Sequence, residues 1–469
     1  MTSFKYLICG LFILCWQILP AQDGSTSFKL PAYEKTVLGN GLTVYLMEQH
    51  EVPVISVSVV MPAGAIYDRP EQSGLAMMTA ASLMNGTKKM TKSKLEEELE
   101  FVGASVNTFA SKESAGLNAK FAAKDGDKIL SIIRDILLIP SFDPQEFAKE
   151  KKLTLARLES ARESPRNVIG EYFDEASYGK HVYANRENGR LATVATLTVG
   201  DAAMFYRKAY IPNGSAIAVV GDFSTKDMKA KLTAMFGAWA KGTPPANAAA
   251  APVALPAAAR VMLVNKSDAK ETTFIIGGPG VPRSNPDYVA MEVVNTVFGG
   301  RFTSWLNDEL RVNTGLTYGA RSSFNRLKSA GTFGISTFTA TKNTEAALDK
   351  VLEVLNRLHA SGIDEKTLTS ARNYVKGGLP PRYETSGQLA SLLTSMFWYG
   401  YDESFINNFQ KNVDGLTAEK VKSIITTYFP KKNFQFILVG KADDIRKIAA
   451  KYGTVTEVDI KETTMKKAL

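Results

Sequence analysis

Apolar residues along this chain switch between two periods, and the switches come in the same order twice. From the Asn40-Gly41 turn, Leu42-Thr43-Val44-Tyr45-Leu46 and Val54-Ile55-Ser56-Val57-Ser58-Val59-Val60 read as strands around the polar bend Glu48-Gln49-His50-Glu51. After Pro62-Ala63-Gly64 the spacing turns helical over 73–84, with Ser73 as the N-cap and Asn85-Gly86 as the stop. A polar helix near 95–101, strands near 104–110 and 116–121, and helices across 127–137 and 143–163 follow. A helix through Phe205-Tyr206, then Tyr210-Ile211-Pro212 and the strand Ala216-Ile217-Ala218-Val219-Val220, lead to Gly221-Asp222.

The second half repeats the plan. Val261-Met262-Leu263-Val264, a polar bend, Thr272-Thr273-Phe274-Ile275-Ile276 and a Gly278-Pro279-Gly280 turn precede a helix that Asn285-Pro286-Asp287 would cap. Leu416-Thr417 opens a helix, Tyr428-Phe429-Pro430 ends it, and Phe434-Gln435-Phe436-Ile437-Leu438-Val439 runs into Gly440. Between the halves, 243–259 is rich in alanine and proline and lacks a period, as an exposed linker does. The pattern predicts an α+β protein made of two similar units, 22–242 and 260–469, each with a largely antiparallel sheet.

One stretch stands at a change of period. Leu306-Asn307-Asp308-Glu309-Leu310-Arg311-Val312-Asn313-Thr314 reads as a helix end, Gly315 as its left-handed stop, and Leu316, Tyr318, Ala320 and Ser322 as the start of a strand. That seam brings Arg311 and Tyr318 close enough to face one cavity. Both residues also have purely structural uses, since an arginine in a last turn favours the helix dipole and tyrosine is common in strands.

Composition changes the picture at the N-terminus. Lys5, an apolar run over 6–19 and Pro20-Ala21 have the form of a secretory signal peptide over 1–21, too short for a membrane span. Both cysteines, Cys9 and Cys15, fall inside it, so the mature chain would hold neither disulfide nor thiolate metal site. Removing the leader takes away one lysine and no acid, which lowers the formal charge by one from +9. The basic residues are spread out, with no run that points to nucleic acid. The three histidines, His50, His181 and His359, include no helical pair, and no serine sits in a nucleophile elbow. A disulfide-free exported chain fits a bacterial periplasm best, with export outside the cell as the alternative.

Asn40-Gly41-Leu42, Gly74-Leu75-Ala76, Asn85-Gly86-Thr87, Gly299-Gly300-Arg301-Phe302, Leu310-Arg311 and Gly315-Leu316-Thr317-Tyr318 stand in an order that resembles the pitrilysin/insulinase family of inverzincin metallopeptidases. In that family zinc is held by His-x-x-Glu-His on the first helix and a later glutamate, because residues four apart share a helix face. The matching positions here are Met77, Ala80 and Ala81, with Arg157 in place of the distal glutamate and Glu159 as the nearby carboxylate. None of the first three binds zinc, and the resemblance therefore implies a chain without metal. It further implies a non-catalytic subunit that gives Arg311 and Tyr318 to a partner carrying zinc on His-x-x-Glu-His, with an extended peptide as substrate. Val106-Asn107-Thr108 match the edge strand onto which such peptides add, although in an inactive half a plain edge is an equal reading. An inert, self-assembling peptide-binding or scaffold protein stays open, and an autonomous peptidase built on Glu159 is the remote third reading.

Overall fold

The computed structural model describes residues 28–461, so the expected leader lies outside the described residues. Two six-stranded sheets carry the fold. The first holds β1 (Glu34–Val37), β2 (Thr43–Glu48), β3 (Val54–Met61), β4 (Ser105–Ala110), β5 (Ala115–Ala122) and β6 (Ala216–Gly221), in the order β1-β2-β6-β3-β5-β4. The second holds β7 (Arg260–Asn265), β8 (Glu271–Gly280), β9 (Ala320–Arg326), β10 (Gly331–Ala340), β11 (Gln435–Gly440) and β12 (Thr454–Asp459), in the order β12-β7-β11-β8-β10-β9. Strands β2 and β6 run parallel, as do β7 and β11, while the hairpins beside them are antiparallel. The duplication read from the sequence is therefore a duplicated sheet. Its one departure is the outer edge, filled by β1 antiparallel to β2 in one unit and by β12 parallel to β7 in the other.

The central strands are mostly apolar because both of their faces are covered. In β2, Val44 and Leu46 face the helices of their own unit, and Tyr45 and Met47 enter a separate cluster on the far face. Strands β7 and β11 repeat this, with Val261, Leu263, Phe436 and Leu438 on one side and Met262, Val264, Ile437 and Val439 on the other. The covers of the far faces are exchanged between units. Helix Pro165–Tyr178 of the first half lays Val168, Ile169, Tyr172 and Phe173 on the second sheet. Helix Ser386–Tyr399 of the second half lays Leu389, Leu392, Leu393 and Met396 on the first. There Ser56 and Ser58 find partners in Ser386 at 2.9 Å and Thr394 at 3.0 Å, which satisfies two hydroxyls facing an otherwise apolar layer.

Four local expectations are corrected. Strand β9 begins at Ala320, not Leu316, because Leu316 and Thr317 turn their N–H groups back to the Leu310 carbonyl. Gly278-Pro279-Gly280 belongs to β8, opposite Gly331, Thr332 and Phe333, rather than forming a turn. The helix expected at Pro286 starts at Tyr288, since Asn285 Oδ1 accepts from Asp287 N–H and holds a turn first. The 243–259 linker is exposed over most of its length but buries Ala249 between Ile66, Tyr178, Tyr183 and Ala330. Asn213 holds its start by a two-way bond to Gly242, at 2.7 and 3.0 Å.

Candidate functional site

Helix Leu75–Ser82 is short and its sequence, LAMMTAAS, is almost wholly apolar. Its N-cap is Gly74, at φ 95°, and not Ser73. A side chain at Gly74 would be strained by that φ and would meet Gly189 Cα at 2.9 Å. The capping oxygens come from Asp68, whose carboxyl accepts from Gly74 N–H at 2.9 Å and from Ala76 N–H at 3.0 Å. Burial raises the Asp68 carboxyl to about 7, against the pull of those backbone donors.

On this helix Met77 packs against the core of the first unit, Ala80 is buried, and Ala81 is half-buried. The Ala80 carbonyl accepts from Thr108 Oγ1 of β4 at 2.7 Å, which ties the edge strand to the helix that carries Met77, Ala80 and Ala81. Val106 faces inward and Asn107 outward, with its Nδ2 on Ser105 Oγ at 3.0 Å. Strand β4 is thus the sheet edge expected of Val106-Asn107-Thr108. Arg157, on helix Pro144–Ala161, is exposed and pairs with Glu150 at 3.2 Å. Glu150, two turns back on the same helix face, is therefore its carboxylate neighbour, where the sequence pointed to Glu159. Methyl groups, a thioether and a guanidinium do not fit zinc, which takes imidazole, thiolate or carboxylate. Among the described residues no group of three or more His, Cys, Asp or Glu could hold a metal ion. His50 lies between Asp222 and Glu48, which hold its pKa up, and His181 bonds the Ala251 carbonyl at 3.0 Å.

The second sheet carries the other half of the site. The helical segment Asp308–Asn313 is wound wide, and Gly315, at φ 62°, ends it as the sequence predicts. Arg311 leaves this segment with its guanidinium 4.6 Å from the Tyr318 ring centre and 4.9 Å from that of Phe302. The two rings are exposed, at 74% for Tyr318 and 67% for Phe302, so the stack stands at a mouth rather than in a core. Its flanks are fixed. Thr317 Oγ1 donates to the Phe338 carbonyl at 2.6 Å and accepts from Thr337 Oγ1 at 2.8 Å, while Asn307 Nδ2 holds the Phe302 carbonyl at 2.7 Å. Arg311 and Tyr318 are brought together as expected, but from a loop before β9 rather than from within it. Below them lies a cavity of roughly 1050 Å³ that reaches from Arg311 and Tyr318 to Arg166 and Ile169 of the exchanged helix. Sequence reasoning missed Arg166, Arg301, Arg321 and Tyr374 on its wall. Arg301-Phe302 could have been picked out, since both follow the Gly299-Gly300 pair that opens the wall.

Comparison with known proteins covers both units. Residues 43–187 match the profile described as insulinase (peptidase family M16), and residues 196–375 match the one described as peptidase M16 inactive domain. The chain is 23% identical over 353 residues to the uncharacterized zinc protease YmxG of Bacillus subtilis, covering 75% of this chain and 85% of that protein. It is 23% identical over 395 residues to the uncharacterized zinc protease ML0855 of Mycobacterium leprae, covering 83% and 88%. Among solved structures, a peptidase M16 inactive domain from Pseudomonas fluorescens superposes with a TM-score of 0.80 at 24% identity, over 87% of this chain and 98% of that one. A protease from Helicobacter pylori gives 0.81 at 20% identity, over 87% and 100%.

Proposed function

The chain belongs to the insulinase (M16) peptidase family, and from that premise we propose that it is a non-catalytic member, the substrate-holding subunit of a two-chain peptidase. The observation that carries the reading is the Phe302–Arg311–Tyr318 stack, fixed in position yet open to solvent above a large cavity. A phenol and a guanidinium stabilise charge on a reacting carbonyl only where water is scarce, and at 74% exposure Tyr318 needs a cover. A partner subunit laid over this mouth would supply that cover, together with the zinc and general base for which Met77, Ala80, Ala81 and Arg157 are unsuited. In this reading Tyr318 donates its hydroxyl to the carbonyl oxygen as negative charge develops there, and Arg311 holds a neighbouring substrate carbonyl. Strand β4 offers its free edge to an extended peptide in the same enclosed space, with Val106, Asn107 and Thr108 as the pairing segment. The leader expected over 1–21 and the absence of cysteine after it support an exported compartment for the assembly, the bacterial periplasm being the one we propose.

The test is mild affinity purification of the tagged chain from its own host. A family-like chain bearing His-x-x-Glu-His, recovered in near-equal amount and active with this chain, is the expected result. Recovery of this chain alone as a self-assembled oligomer would replace the proposal with a peptide-binding or scaffold role.

A further inference from the structure

The wall of the 1050 Å³ cavity carries four guanidinium groups, from Arg166, Arg301, Arg311 and Arg321, and none of its described lining residues is a carboxylate. Three of the four lie against rings of the same wall. Arg166 is 3.5 Å from the centre of Phe338, Arg301 is 5.8 Å from that of Tyr374, and Arg311 sits between Phe302 and Tyr318. A guanidinium held beside a ring still has N–H donors for other partners, and its planar fork suits bidentate bonds to an anion.

Little within the chain neutralises them. Arg166 reaches Glu271 at 3.1 Å, a pair in which both side chains are half-exposed and which salt would screen. Arg301 donates to Ser370 Oγ at 3.0 Å, while its buried Nε has no partner. Among the described residues Arg311 and Arg321 make no ion pair, and Arg321 stands exposed on the edge strand β9. An adjoining cavity of roughly 410 Å³ shares Arg166, Gly170 and Ile275 with the first, and its three acids, Glu171, Asp174 and Glu187, are matched by Lys112, Arg166 and Arg186. The lining therefore passes from balanced charge to arginines with no carboxylate among them, and an anionic ligand is drawn to the arginine end.

We propose that the arginine-lined cavity binds the acidic segment of an extended peptide, its carboxylates on Arg301 and Arg321 beside the Arg311 that holds the peptide carbonyl. The choice of a peptide rests on the reading given above; the preference for an anion rests on the arginines alone. The ligand class is thus a carboxylate-rich peptide.

The experiment is fluorescence-anisotropy titration of the purified chain with a labelled decapeptide of alternating Glu and Ala, beside its Gln-Ala counterpart. The Glu peptide is expected to bind about tenfold tighter at low salt, with the advantage shrinking at high salt as charge-assisted bonds are screened. Arg301→Gln and Arg321→Gln should each weaken the Glu peptide several-fold, leave the Gln peptide unchanged, and keep the parent melting curve. Because Arg321 is exposed on an edge strand, its variant carries the test even if Arg301→Gln fails to fold. Equal affinity for the two peptides, or a Glu preference retained in Arg321→Gln, would overturn the proposal. So would inorganic phosphate that displaces the peptide at the peptide's own concentration, which would make the cavity a free-anion site. Binding is read on this chain alone, so failure to find an active partner complex leaves the outcome interpretable.

Discussion

At the scale of single residues, Tyr318 and Asp68 bear opposite relations to water. Tyr318 is exposed and held by its neighbours, so Tyr318→Phe should leave the fold and any subunit assembly intact. In the assembled complex it should lower kcat by about a hundredfold to a thousandfold with little change in KM, because the lost bond acts on the developing charge. Turnover equal to the parent in that variant would remove Tyr318 from the mechanism. Asp68 is buried and raised to about 7 from an ordinary value near 3.8. Its folded-state pKa is the higher one, so folding takes up a proton between the two values. The stabilisation is fully present below about pH 4 and is lost as the pH rises through about 7. Stability should fall over that window by up to about 1.4 kcal/mol per pH unit from this one group. Asp68→Asn keeps an oxygen for the helix cap and cannot titrate. Urea melts at pH 5 and pH 8 should therefore differ less in the variant than in the parent, and an identical difference would reject the assignment. Asp68 was not legible as a cap, since it lies six residues before Gly74 and the intervening loop must fold back to bring it there.

At the scale of elements, the strands were legible because both faces of β2, β3, β6, β7, β8 and β11 are covered, which favours apolar runs bounded by turns, with small hydroxyls such as Ser56 and Ser58 where a partner is at hand. The helices on the near faces followed from their spacing. Helices Pro165–Tyr178 and Ser386–Tyr399 are not among the elements read from the sequence, and each covers the sheet of the other half. A helix declares its apolar face locally, but what that face meets is settled only when both sheets are formed. Phe173→Ala tests this exchange. The ring lies almost wholly buried in the cluster with Met262, Ile437 and Val439, and its removal should cost about 3–5 kcal/mol of folding free energy by denaturant titration. A loss under 1 kcal/mol would mean that the helix is not a structural cover of the second sheet.

At the scale of the whole molecule, the exchange makes two units of separate sequence into one folding body. The joint is polar as well as apolar. Glu113, buried at the β4–β5 turn, accepts from Lys328 N–H at 3.0 and 3.1 Å and from the Tyr183 hydroxyl, which itself accepts from Ser329 N–H at 3.1 Å. Glu113→Ala would leave the buried Tyr183 hydroxyl and the part-buried Lys328 N–H without this acceptor, at a cost of about 1–3 kcal/mol, and should loosen the β9–β10 turn from the first unit. Faster amide exchange at Lys328 and Ser329 is the expected sign, and unchanged protection there would refute the joint. The halves 28–242 and 243–461, expressed apart, should be insoluble or expose apolar surface to dye, because each sheet lacks its exchanged helix. Co-expression should restore a soluble pair, whereas two independently stable halves would contradict the interlock.

The sequence by itself determined the duplication, the order of the strands and of most helices, the lack of zinc-binding side chains at Met77, Ala80, Ala81 and Arg157, and the closeness of Arg311 to Tyr318. All of these are set by residue identity, by short-range period, or by a spacing of a few positions. Tertiary structure alone decided which helix covers which sheet, that Asp68 caps the degenerate helix, and that Arg166 from the first half meets Arg301, Arg311 and Arg321 from the second. Those juxtapositions join residues as far apart in the chain as Ser58 and Thr394, 336 positions. Such pairs are chosen by the fit of two finished surfaces, and no local pattern in a chain records the partner that a surface will meet.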